Sequence, residues 1–597
     1  MRNNKFILIL IMSLLGGCSR PADQSANQDS EAVSVDQNIL FVDYTEIFLD
    51  EFWSYSPDWA TYVGYYKFDD KLIVPDAAAR AAETDFINRS LSQLEKFDTS
   101  ALSARNATDY ALIKNQLEST LWYMYEFRIH EWDPSNYNVA NIFGLIMNTQ
   151  YKPLDERLLT VTRLLQNVPA YYLAAKQSID QPTVELTRLA IEQNKGALGV
   201  FEKTIQGKIE ESTLDAKQRE ELNNQLTTAS SAIRGYITWL EQLEAGFADN
   251  PARDFRIGKD LYEKKFGFDI VSDLSAEQLY RKAIAEKDRL HARMFELTEQ
   301  LWPKYLRDKP ILKTPLLAIK QMIDHLSVRH IDREGFVDEI RRQIPIIQKF
   351  MDDNKLLDSD PTRPLVVRET PEYQRGFAGA SVNAPGPYNA TANTYYNVTP
   401  LDHYTPEQAE SYLREYNHWI LQILNIHEAI PGHYTQLMHA NKSPSKIKSI
   451  FGNGAMIEGW AVYSELMMME AGYGDHEPEL WLMYSKWNLR AVINTIIDYE
   501  IQVLGLERED AVEMLLAEGF QEQTEADEKW RRATLSQVQL TSYFSGYAEI
   551  LAFREELKVK MGDKFDLRNF HNKFLSYGNA PVPVIRKLML KELELPI

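Results

Sequence analysis

His427-Glu428-Ala429-Ile430-Pro431-Gly432-His433 sets two imidazoles six residues apart with a carboxylate beside the first, and Ile457-Glu458-Gly459-Trp460 follows closely downstream. Two imidazoles and the Glu458 carboxylate make the ligand set of a catalytic zinc site, three protein bonds with a fourth position kept for water. Glu428 then stands as the base that takes a proton from that water, whose pKa zinc lowers to about 7. This reading predicts metal-assisted hydrolysis of a peptide.

The spacing sets a geometric condition. In His-Glu-x-x-His the histidines lie four apart on one helical face, whereas six steps of about 100° put His427 and His433 roughly 240° apart around a regular helix. Pro431 removes a backbone donor and Gly432 admits unusual dihedrals. A widened turn or a break over Ile430 to Gly432 is therefore expected, re-aiming His433 toward His427. Taken alone, the His-Glu pair also fits an ordinary helix ended by Pro-Gly. The approach favours a metal: Ile420, Ile423, Leu424 and His427 recur at i, i+3, i+4 and i+7, so His427 continues an apolar stripe and points inward. A buried histidine and glutamate are costly unless something binds them.

Working outward, Ala455 to Tyr473 reads as a second helix. Glu458 and Glu465 share a face about 10 Å apart along its axis, too far to ligate one ion together. Glu458 is taken as the ligand and Glu465 as a carboxylate that orients a histidine from behind, or else as a solvated or ion-paired group. Met467, Met468 and Met469 read as core filler. For the oxyanion that forms as water adds to a carbonyl, a donor besides the metal is needed. Tyr543 and Tyr547, four apart beside Gly546, are the candidates.

Upstream, the segment from Tyr373 to Pro400 departs from helical character. Ala392 to Val398 is extended, rich in aromatic and β-branched residues; such a strand either pairs with an extended substrate or packs on the helices. Most other segments mix Leu, Ala, Glu, Lys and Gln at helical spacing. Helices are expected over Ala77–Leu94, Ala107–Phe127, Leu154–Ser178, Thr183–Ile205, Ala216–Phe247, Ala276–Leu301 and Arg333–Asn354. Ser275 and Gln278 form a capping box that starts one of them, and Pro303 marks a connection after it. The fold class is mainly α with a small β element.

At the N-terminus, Arg2 and Lys5 precede an apolar run from Phe6 to Leu15 that is too short to span a bilayer. Leu15-Gly16-Gly17-Cys18 resembles a lipobox, so residues 1–17 read as a signal peptide and 18–37 as a lipidated, flexible tether. Residues 38–597 form the folded part. Cys18 is the single cysteine, so no disulfide forms within the chain and zinc has no thiolate ligand. Ser19 resembles the residue that directs such lipoproteins to the outer membrane, with the membrane as partner through the anchor. The formal charge of −21 argues against nucleic acid as a partner.

The metal motif and Glu458-Gly459-Trp460-Ala461-Val462-Tyr463-Ser464-Glu465 resemble the bacterial family called domain of unknown function 885, regarded as zinc peptidases. Further matches are Tyr55 to Thr61 with Gly64, Asp498 with Gly505, Tyr543-x-x-Gly546 with Arg532 and Gln539, and Phe570-His571 through Pro583. The resemblance implies a large helical fold of two lobes around a deep cleft, with zinc held by His427, His433 and Glu458 and Glu428 as base. Members often have Pro-Gly where this chain has Gln537-Val538, and histidine where it has Gln502. Gln502 keeps open a peptide-binding lipoprotein without turnover; a zinc hydrolase of a non-peptide amide is the other alternative.

Overall fold

The computed structural model describes residues 36–360, 364–370, 380–384, 386–389, 393–442 and 445–596. The leader, Cys18 and the tether before residue 36 lie outside them. Helix dominates. Ala77–Leu94 starts where the Asp76 side chain accepts from the Ala79 amide. Ala276–Tyr305 starts at the Ser275 capping box, with both reciprocal bonds formed. Several boundaries differ from expectation, the helix expected from Ala107 starting at Ala104 among them. The segment from Leu154 to Ser178 is two helices, Leu154–Leu165 and Val168–Ser178, because Pro169 has no amide hydrogen and sits at the start of the second. Pro303 falls within the last turn of Ala276–Tyr305 rather than after it.

Two hydrophobic clusters form. The smaller, from Tyr137 to Leu240, packs Phe143, Leu164, Ile233 and Tyr236 between amphipathic helices. The larger gathers apolar residues from Phe41 to Leu590. An ion pair of 2.6 Å between Arg531 and Glu192 and a backbone bridge between Thr183 and Arg253 tie the two together. Among the described residues, no helix is long and apolar enough to cross a membrane.

The β element is a three-stranded sheet of β1 (Leu365–Glu369), β2 (Ala380–Asn383) and β3 (Thr394–Val398), in the order β1-β3-β2. β3 runs parallel to β1 and antiparallel to β2. It is therefore the central strand, with its backbone donors and acceptors already paired, and cannot take a substrate strand. Tyr396 on β3 is fully buried and donates to Asn425 Oδ1 at 2.9 Å; Asn425 Nδ2 donates in turn to Gln343 at 2.7 Å. These bonds fix the sheet to the helix that carries His427.

The frame of the site is a close helix crossing. Gly454–Glu470 packs on Ser542–Met561 where Gly459 faces Gly546. A Cβ on Gly546 would lie 1.7 Å from the Ala455 carbonyl oxygen, and one on Gly459 2.3 Å from the Gly546 backbone. Only hydrogen fits at both positions, and the contact locks the helix bearing Glu458 to the helix bearing Tyr543.

Candidate metal centre

The first histidine helix, Ile420–Glu428, buries Ile420, Ile423, Leu424 and His427 along one face. After Glu428 the chain turns back on the last helical turn. The Ala429 amide donates to Asn425 O at 3.0 Å, and the Gly432 amide to Ile426 O at 3.0 Å. At Gly432 a Cβ would stand 1.8 Å from the His427 carbonyl oxygen, so no other residue allows this return. Trp460 Nε1 donates to Pro431 O at 2.9 Å and fixes the loop to the Glu458 helix. His433 then opens a new helix, His433–Asn441. The break is complete, two helices rather than one with a widened turn, and it brings the two imidazoles to a centroid separation of 4.9 Å with their planes at 87°.

Both rings turn Nε2 toward Glu458. Its Oε2 lies 3.7 Å from His427 Nε2 and 3.4 Å from His433 Nε2. These separations are long for N–H···O bonds, which centre near about 2.9–3.0 Å. They lie close to the edges of a tetrahedron whose centre makes bonds of about 2.0–2.2 Å to nitrogen and oxygen, roughly 3.3–3.6 Å, the His433 separation within that range and the His427 separation just beyond it. A Glu428 carboxylate oxygen lies within 4.8 Å of a nitrogen on each ring. Glu428 thus borders the same point, and Glu458 is the carboxylate that touches both histidines.

Glu465 sits behind His427. Its Oε1 accepts from His427 Nδ1 at 2.7 Å and from Trp487 Nε1 at 3.0 Å, while its Oε2, fully buried, has no partner. With the hydrogen on Nδ1, His427 offers the Nε2 lone pair to the shared point, the arrangement that orients metal-bound histidines. Burial pushes the Glu428 and Glu465 carboxyls up, partly offset by the histidines. Burial acts on Glu458 too, yet His433 and His427 together hold it well below the usual carboxylate range. Burial lowers His427, and its bonds to Glu458 and Glu465 outweigh that and raise it. Three carboxyl groups thus surround two imidazoles, a donor set of the kind that binds a divalent cation.

The sequence profile described as "Bacterial protein of unknown function (DUF885)" matches residues 57–589. The chain belongs to this family. Among solved structures, a protein from Shewanella oneidensis, provisionally termed a lipoprotein and of unknown function, is 51% identical with a TM-score of 0.86; the match covers 92% of this chain and 99% of that one. A protein from Colwellia psychrerythraea, also provisionally termed a lipoprotein, is 18% identical with a TM-score of 0.76 over 94% and 100% of the two chains, a likeness of fold. No curated protein matches.

In this DUF885 chain the His427 side of the centre opens into a cavity of about 700 Å³ lined by Glu428, Glu465, Trp487, Arg490, Lys529 and Tyr543, among others. Its lining runs from Ala380 to Tyr543, and the smaller hydrophobic cluster contributes none of it. The cavity therefore lies within the larger body rather than between the two clusters. Ala380 of β2, the outer strand, reaches it; β3 does not.

Of the two tyrosines, Tyr543 lines the cavity and accepts from Arg532 Nη2 at 3.1 Å. Tyr547 does not reach it: it is 5% exposed and its hydroxyl pairs with Tyr484. One helical turn separates them, and the crossing at Gly546 turns only the first toward the opening. Gln502 is also away from the cavity. It is fully buried, accepting from the Ile257 amide at 3.2 Å and donating to Ala533 O at 2.9 Å. One acceptor and one donor are what a neutral histidine offers, so the position ties backbone together away from the cavity. Val538 has φ +71, a left-handed backbone that a β-branched residue adopts only under strain. That is the conformation for which glycine suits the position.

Sequence reasoning missed Trp487 and the charged wall beyond it. Its signal was Lys486 and Arg490, a turn apart in Pro478–Tyr499, a helix otherwise almost wholly buried and largely apolar.

Proposed function

We propose that this protein is a zinc-dependent peptidase, with His427, His433 and Glu458 as metal ligands. The observation that carries the reading is the approach of Glu458 Oε2 to the Nε2 atoms of both histidines, at 3.7 and 3.4 Å, with the Nδ1 of one imidazole held from behind by Glu465. A bound zinc supplies Lewis-acid polarisation of a carbonyl and a water acidified to a pKa of about 7.

The protein's own groups do the rest. Glu428, its carboxyl pushed up by burial, accepts a proton on a carboxylate oxygen and delivers it to the leaving nitrogen. Glu465 keeps the hydrogen of His427 on Nδ1 while Glu428 takes and returns the proton. Tyr543, at the cavity wall and braced by Arg532, donates to the oxygen on which charge develops. No covalent acyl-enzyme is needed. Anchoring through lipidated Cys18 and residence in the outer membrane belong to the same proposal, supported by Leu15-Gly16-Gly17-Cys18-Ser19 and by the names given to the two relatives.

Metal analysis with a peptide-library digest tests the reading. About one zinc per chain is expected, with cleavage by the wild type and a loss of roughly 10²–10⁴-fold in kcat for Glu428→Gln at unchanged zinc content. Zinc without cleavage, or cleavage unaltered in the variant, overturns it.

A further inference from the structure

The cavity wall on the far side of Trp487 places two largely buried cations, Arg490 and Lys529, beside one another. Lys486 Nζ meets Glu415 Oε2 at 2.7 Å, both side chains at most 5% exposed. Arg490 donates through Nη2 to Glu525, and its guanidinium lies 5.2 Å from the Trp487 ring centroid. Its Nη1, 3.9 Å from Glu415 Oε1, has no hydrogen-bond partner. Lys529 is 4% exposed; its ammonium lies 3.8 Å from Glu525 Oε1, and among the described residues nothing hydrogen-bonds it. With Lys486 taking Glu415, Arg490 and Lys529 share the close carboxylate Glu525, and Glu528 beside them is exposed to solvent. Arg490 also hydrogen-bonds the Tyr416 side chain, which leaves its Nη1 and the Lys529 ammonium as the unused donors beside the cavity. Burial, with Arg490 nearby, holds the Lys529 ammonium down to about 7, as expected of a cation short of an anion. The unpaired lining carboxylates Glu522 and Glu528 are less buried, with Glu528 exposed, which leaves the acidic end of the cavity toward solvent.

We propose that Arg490 and Lys529 receive a carboxylate of the substrate, and that in a short peptide this is the free C-terminal carboxylate, so that the protein trims peptides from that end. Trp487 links this wall to the metal centre: its indole donates to Glu465 on one side and faces Arg490 on the other. A peptide whose terminal carboxylate meets the cations lies in the same cavity as Glu428. The inference rests on the peptidase reading for the identity of the occupant. The wall itself asks only for an anion of carboxylate size, since a bidentate or charge-assisted pair satisfies both unused donors.

Calorimetric titration of the zinc-loaded Glu428→Gln protein, which binds without turning over, tests it with three probes: tri-alanine as the free acid, tri-alanine amide, and an alanine tripeptide amide carrying one aspartate. The free acid is expected to bind at least roughly tenfold more tightly than the amide. A second substitution, Lys529→Gln, removes that preference while leaving amide affinity unchanged, and Lys529→Arg keeps it. Recovery of affinity by the aspartate amide assigns the wall to a side-chain carboxylate instead and overturns the C-terminal assignment. Equal affinities for acid and amide, no binding of either, or an equal loss for both in Lys529→Gln overturns the carboxylate site. Equal affinities with wild-type cleavage intact count against the carboxylate site alone; acid-selective binding without wild-type cleavage counts against the hydrolase alone.

Discussion

The smaller hydrophobic cluster and the body around the metal centre are both helical, yet their helices are written differently. Val184–Gly199 and Ala216–Gly246 keep one apolar stripe inward and spread charge over the other face. Gly454–Glu470 and Pro478–Tyr499 are buried almost all round and carry Glu465, Lys486, Asn494 and Asp498 into the interior. The first kind holds a shape. The second holds polar groups where water cannot reach, an expense a fold bears where those groups are used.

The contrast breaks most visibly at glycine. Gly546→Ala forces a methyl against the Ala455 carbonyl at the crossing, and a loss of at least about 3 kcal/mol, with disturbed zinc binding, is expected from thermal unfolding and metal analysis. Gly196→Ala, in an exposed turn of the smaller cluster where a Cβ meets nothing within 4 Å, is expected to stabilise by about 0.5–1 kcal/mol. Opposite signs for one substitution in two helices sharpen the comparison; equal signs erase it.

Next in size is Glu465→Gln. A neutral amide holds His427 less firmly, so zinc affinity measured by competition with a chelator is expected to fall about 10–100-fold while the fold persists. Unchanged affinity removes Glu465 from the centre.

Asp498 offers a pH test. It accepts from Tyr262 at 2.8 Å, and burial pushes its carboxyl up to about 7 from an ordinary 3.8. The folded chain therefore keeps this proton at pH values where the unfolded chain has lost it, so its contribution to stability is full below about 4 and disappears as pH rises through about 7. Asp498→Asn is expected to raise Tm relative to wild type at pH 8 more than at pH 4; the reverse trend contradicts the burial account. Smallest is Val538→Gly. Relief of strain at φ +71, about 1–3 kcal/mol, offsets the loss of a buried side chain, and a net change under about 1 kcal/mol is expected in denaturant unfolding.

The same contrast explains what could be read in advance. The span of Ala77–Leu94 followed from periodicity and the start of Ala276–Tyr305 from its capping box, because amphipathic helices advertise which face is buried. The break between His427 and His433 was legible in Pro431-Gly432, since local backbone chemistry forces it. The seven-residue spacing left Glu465 either behind a histidine or ion-paired elsewhere, and its bond with His427 Nδ1 decides between them. What no spacing tells is which side of a wholly buried helix faces a cavity. Tyr543 and Tyr547 read alike, and only the Gly459–Gly546 crossing separates them. Lys529 joins Arg490 from another helix, and the central place of β3 depends on partners far along the chain.

The central claim is that one divalent ion draws the two histidine helices and Glu458 together, and anomalous scattering from crystals of the protein at the zinc absorption edge tests it directly. A single strong peak about 2.0–2.2 Å from His427 Nε2, His433 Nε2 and Glu458 Oε2 is predicted. No peak there in zinc-supplied protein, or one bound by other residues, contradicts it.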